Sequence, residues 1–243
     1  MLTCVQSSDE TEKKFSLACL VNLSTNNEFR ALLVSNGTLS YLAKAVDLSS
    51  NPVEVVRFAV HCMGNLAEND CNVSFLLGEM GMIKKLLDIV KLRAPLRNSP
   101  ASTAEQPQDQ LATLREDALT ALYILAKAET NKAIFLNCRI MNLFMELLSD
   151  SEVGIVSMEG HRSEKSREDL AVPTEGLLKI IIDFVSTFCT SYLHAQKVAE
   201  SGLLCALLGF LKSEKEVFVR KTLRALLAVA QCGVSLREEV GRE

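Results

Sequence analysis

The sequence predicts an all-α solenoid, a stack of repeated helical units with no sheet. Three observations predict it. Every long apolar segment recurs with the 3.6-residue period of a helix and none alternates in the manner of a strand. A glycine returns at corresponding points between two short apolar segments. Five longer segments can be written beneath one another without gaps. Composition agrees: apolar residues are 48% of the 243, enough for a sizeable core, while aromatics are 5% and tryptophan is absent. The core is therefore expected to be aliphatic, which suits close-packed helices better than strands rich in β-branched and aromatic residues.

The glycine stands at Gly37 in LLVSNGTLSYL, at Gly81 in LLGEMGMIKKLL and at Gly202 in KVAESGLLCALL. A further copy, AIFLNCRIMNLFMELL, has Arg139 in its place. The first interval is 44 residues (81 − 37), and the next two are 58 (139 − 81) and 63 (202 − 139). A base period of about 42 to 44 belongs to two- and three-helix solenoids. The excess falls into two segments. Residues 93–110 (RAPLRNSPASTAEQPQDQ) hold three of the five prolines, and 149–173 hold a fourth among mixed charges. Both read as loops inserted before the long helix of a unit, where a solenoid tolerates them. Pro52 reads instead as a helix start, with Asn51 as its cap.

The five long segments are 13–24, 56–67, 115–126, 178–189 and 219–230. Each buries one broad face, which a single unit cannot cover alone and its stacked neighbours can. At the C-terminal end, Leu223, Leu226, Leu227 and Val229 cannot all face the preceding unit. That leaves apolar surface for self-association or for a longer protein. The final VSLREEVGRE reads as the opening of a further unit, with Gly241 at the landmark position.

With the A-L-x-x-L-x-N-L-A pattern of the long segments, the glycine and the period on the page, the chain resembles the armadillo repeat family. The resemblance implies a right-handed superhelical solenoid of armadillo-like repeats, about four to five units forming one domain over residues 1–243. It also implies a site. In armadillo proteins that hold extended peptides, the third helices line a concave groove, where an Asn clamps the peptide backbone and a Trp one turn earlier packs its side chains. The Asn positions carry over to Asn22, Asn65, Ile124, Thr187 and Ala228, and the Trp positions to Ala18, His61, Thr120, Asp183 and Arg224. Two clamps and no Trp survive, so the importin-α manner of holding a basic peptide is not expected. One turn earlier stand Lys14, Arg57, Glu116, Lys179 and Arg220. The expected groove is thus mildly basic and suits an acidic segment, through Lys14, Asn22, Arg57, His61, Asn65, Lys179, Arg220 and Arg224.

Other functions find little footing. The net charge of −4 gives no pull toward nucleic acid or a membrane surface. The eight cysteines show no C-x-x-C pair and mostly sit in apolar runs, so they read as small buried hydrophobes in a reduced state. No signal peptide and no membrane-length apolar run is apparent, so the expected compartment is the cytoplasm, with nucleus and cilium as alternatives. Phosphate-binding, hydrolase and zinc-protease motifs are missing, and Cys189 with His194 lacks a further ligand nearby. No enzyme activity, cofactor or metal is expected. The sequence points to a protein-binding scaffold. The alternative is a structural subunit of a ciliary, cytoskeletal or other assembly, held through its open repeat ends.

Overall fold

A computed structural model describes residues 4–68, 70–92, 107–149 and 174–240. Helices dominate, and no strand occurs among the described residues. The chain divides into two compact units, Met1–Ile134 and Phe135–Glu243.

In the first unit, long helices α1 (Glu10–Ser24), α4 (Val53–Ala67) and α7 (Pro107–Leu125) pack in sequence order, α4 against both of the others. Short helices α2 (Asn27–Ser35) and α3 (Thr38–Ala45) lead into α4, while α5 (Cys71–Glu79) and α6 (Met82–Val90) precede α7. Helix α8 (Glu129–Asn137) runs across the division. Leu17, Leu20, Val56, Val60, Met63, Leu66, Leu119 and Leu122 are buried between the long helices. Each such leucine or valine contributes roughly 1.5–3 kcal/mol by leaving water.

Polar residues set the helix starts. Asp9 Oδ1 accepts from the Thr11 and Glu12 amides at 2.8 and 3.3 Å, and Asp70 Oδ1 from the Asn72 and Val73 amides at 2.9 and 3.1 Å. These bonds satisfy amides that a helix leaves without an internal partner. The glycine landmark marks the turn between the two short helices. Gly37, Gly81 and Gly202 have φ of 77°, 73° and 79°, the left-handed region that a side chain disfavours. Arg139 adopts it too, at φ 54°, so the fourth junction keeps the same turn with a side chain present.

In the second unit, α9 (Ile140–Ser149) and α10 (Glu175–Phe188) precede the short helices α11 (Tyr192–Glu200) and α12 (Leu203–Gly209) and the long α13 (Glu216–Val240). Helix α13 packs on both α10 and α11. The core here adds an aromatic cluster to its aliphatic residues. Phe184 meets Phe135 and Phe144 edge-on, with ring centroids 5.3 and 5.0 Å away, and stacks on Phe188 at 5.6 Å. The buried residues of this unit are otherwise mainly aliphatic, as expected, and few phenylalanines suffice for such a cluster when they converge.

Four expectations are corrected. Composition predicts a loop over residues 107–110, yet α7 begins at Pro107, where a proline has no helical hydrogen bond to lose. Asn51 does not cap α4: its Nδ2 donates to the Ala45 and Asp47 carbonyls, both at 3.2 Å, and Pro52 takes the cap position. The VSLREEV segment does not open a new helix, because α13 continues through it to Val240. Only Cys62 and Cys189 are buried, while Cys19, Cys71 and Cys205 are exposed. The rest of the two inserted loops, 93–106 and 150–173, and Gly241 lie outside the described residues.

Candidate partner-binding face

The residues assigned to the groove lie on α1, α4, α10 and α13, and most of the basic ones are engaged by carboxylates of their own unit. Lys14 pairs with Glu54 of α4. Arg57 Nε lies 3.5 Å from Asp117 Oδ2 of α7. Lys179 Nζ is 2.7 Å from Glu175 Oε1, and Lys215 holds the same carboxylate from the far side of the α10–α13 seam. Asp183 of α10 pairs with Lys221 of α13. The stripe is accordingly less basic than its residue types suggest. Arg220 and Arg224 differ: both are exposed, and among the described residues neither has a carboxylate partner.

The two Asn positions also differ from one another. Asn22 is exposed on α1. Asn65 is half-buried, and its Nδ2 donates to Ser24 Oγ at 3.0 Å and to the Val21 carbonyl at 3.4 Å. Its donor is thus directed at the preceding long helix. His61 is exposed one turn before Asn65 and acts on Asp117 through its charge. Burial pushes the Asp117 carboxyl up, while His61 and then Arg57 pull it down. Arg57, His61 and Asp117 therefore form one group on the α4–α7 seam. The Glu175 carboxyl is held at about 2, chiefly by its hydrogen bond from Lys179 and next by that from Lys215.

The sequence reading named the bases and missed their partners. Glu54, Asp117 and Lys221 lie within three residues of the aligned basic positions, but only the pairing of one long helix with the next brings them together. Cys62 is an unreactive thiol, pushed up to about 11 by burial. His194 closes the start of α11: its Nδ1 lies 2.9 Å from Ser191 Oγ and 3.3 Å from Thr190 Oγ1, with its ring against Phe188. No helix among the described residues is long and apolar enough to cross a membrane.

No family model matches the sequence, and no curated protein matches it. Solved structures do match the fold. A computationally designed armadillo repeat protein for modular peptide recognition superposes with a TM-score of 0.70, covering 98% of this chain and 85% of its own at 19% identity. An engineered protein superposes at 0.69 and 15% identity, covering 94% of this chain and 46% of that one. A chain from a study of the cadherin–β-catenin interaction and its phosphorylation switch gives 0.62 at 15% identity, with 94% of this chain and 36% of that one covered. The chain spans less than half the length of the latter two. Its fold is that of the armadillo repeat proteins.

Proposed function

We propose that the protein is a non-catalytic armadillo-type scaffold that binds a partner protein segment on the exposed face of its long helices. The observation that carries this reading is the pair Arg220 and Arg224, exposed on α13 without carboxylate partners among the described residues. An acidic segment gains charge-assisted hydrogen bonds there, which are stronger than neutral ones. The similarity to a designed armadillo protein for modular peptide recognition supports a segment as the ligand. Lys14 and Arg57 serve the face mainly as rungs between helices and Lys179 is held by Glu175 of its own helix, while Asn22 and His61 offer exposed polar groups beside them. Eight cysteines, none of them in a disulfide, suit a reducing compartment, the cytoplasm first.

The test is binding of labelled acidic, neutral and basic peptides of equal length. The acidic peptide is expected to bind best and to weaken with salt. Reversing Arg220 and Arg224 to Glu should cost on the order of threefold to tenfold at low salt, since exposed pairs contribute ~0–1 kcal/mol each. Equal binding of all three peptides, or none, sinks the reading.

A second reading has its own observation. Leu223 and Leu227 are exposed on α13, where the sequence predicted uncovered apolar surface, while Leu226 and Val229 are half-buried. Such a face suits an assembly subunit held through its repeat ends.

A further inference from the structure

Two long helices, α1 and α4, tie a base to an acid of the next long helix, and α13 carries bases at the corresponding place with no such acid among the described residues. In α1 and α4, the base at the second aligned position is tied to a carboxylate of the following long helix, Lys14 to Glu54 and Arg57 to Asp117. In α13 that position holds Arg220, with Arg224 one turn on, and no carboxylate among the described residues reaches either. Apolar residues give the same result independently. At the fifth aligned position Leu17, Val60 and Ile182 are 0% exposed, whereas Leu223 is 54% exposed and Leu227, one turn on, is 57%.

Helix α1 has no long helix packed before it among the described residues, and only the short turn Cys4–Gln6 packs on it from that side of the sequence. At the seventh aligned position Cys62, Ala121 and Ala225 are 0%, 2% and 0% exposed, each on a helix with another long helix packed before it. Cys19 occupies that position in α1 and is exposed, and Phe15, one turn earlier, is 65% exposed. The first turn of α1 carries exposed Glu10 and Glu12. They stand three and one residues ahead of the aligned window 13–24, bracketing the place of Glu54, which stands two ahead of 56–67.

We propose that the uncovered face of α13 docks the uncovered face of α1 from a second copy of this chain, head to tail. Leu223 and Leu227 meet Phe15 and Cys19, and Arg220 and Arg224 meet Glu10 and Glu12. The second copy is the occupant because α1 offers both the apolar side chains and the acids, in the register that α4 uses toward α1. Desolvation of the leucines and the phenylalanine supplies most of the affinity, and the charges set the register. The two faces differ, so the contact is heterologous: each docked copy leaves one face available for another. This goes beyond the segment-binding reading and shares Arg220 and Arg224 with it, so the test turns on apolar residues.

Two variants of the full chain separate the faces: Leu223→Glu with Leu227→Glu, and Phe15→Glu with Cys19→Glu. All four residues are exposed, so helical content and melting temperature should stay at the unsubstituted values. In sedimentation velocity over a concentration series, the unsubstituted chain is expected to grow past a dimer. Each variant alone is expected to remain a monomer, and an equimolar mixture should stop at two chains, one sound α13 face on one sound α1 face. Acidic-peptide binding should persist in the Phe15→Glu/Cys19→Glu variant, which leaves α13 with Arg220 and Arg224 unaltered, and this distinguishes failure of docking from failure of the scaffold reading. The proposal is overturned by an unsubstituted chain that stays monomeric throughout. It is equally overturned by association that survives Phe15→Glu/Cys19→Glu, or by a mixture that does not dimerise.

Discussion

Asn131 lies so close to the backbone of Gly78 that a Cβ built on residue 78 would stand 2.2 Å from its Oδ1. The amide is fully buried, and its Nδ2 donates to the Ser74 carbonyl of α5 at 2.8 Å and the Leu125 carbonyl of α7 at 3.1 Å. One side chain thereby ties a short helix to the end of the next long one, and it needs the missing side chain at 78 to fit. Gly78→Ala should destabilise by about 1–3 kcal/mol through overpacking. Asn131→Ala should cost a similar amount by leaving buried carbonyls unpaired. The double variant should lose less than the sum, because the clashing atom is gone. Urea unfolding of the four proteins measures this, and strict additivity would show that the contact is not limiting.

Arg139 gives a stabilising prediction. Its φ of 54° is the conformation of Gly37, Gly81 and Gly202 at the other junctions. A side chain there costs roughly 1–2 kcal/mol, partly offset because glycine loses more chain entropy on folding. Arg139→Gly should raise stability by about 0.5–1 kcal/mol, and Gly202→Val should lower it. Thermal melts of both variants decide, and a lowered melting temperature for Arg139→Gly would mean that its side chain contributes contacts that outweigh the strain.

Asn65 separates strut from clamp. Its bond to Ser24 Oγ is half-buried, so Asn65→Ala should cost about 1 kcal/mol of stability. Peptide affinity, measured on the same variant, should change less than for Arg220→Glu. A large loss of affinity with unchanged stability would return Asn65 to the clamp role.

Glu175 supplies a pH test. Its folded value of about 2 lies below the ordinary 4.5, chiefly through its bond from Lys179. A depressed carboxylate stabilises the fold above its unfolded value, and that contribution is lost as pH falls through the folded one. Glu175→Gln should therefore be less stable than the unsubstituted chain at neutral pH, with the difference shrinking below 4.5 and vanishing near 2. A constant difference across that range would assign the effect to packing.

What the sequence disclosed depended on the range of the interaction. The glycine turns were legible because left-handed backbone is a local demand, and Arg139 could be placed among them by spacing alone. The start of α7 was misread because polar composition outweighed the helix-compatible proline at 107. The phenylalanine cluster was hidden in a low aromatic content: Phe135, Phe144 and Phe184 come from three helices, and their meeting is a property of packing. The basic stripe was read one helix at a time, so Lys14 and Arg57 were counted as open charges while Glu54 and Asp117 went unnoticed.

The seams between long helices are not written alike. Toward the following helix, α1 and α4 present a base, whereas α10 presents the acid Asp183 to Lys221. An α4 moved to follow α10 would set Phe58, its third aligned residue, in the place of Lys221 and leave Asp183 without that partner. The units therefore do not commute, although the order of two short helices and a long one recurs. Their order along the chain is encoded in the polarity of a few surface charges, and a recombined protein with shuffled units would need those charges rewritten before its helices could stack.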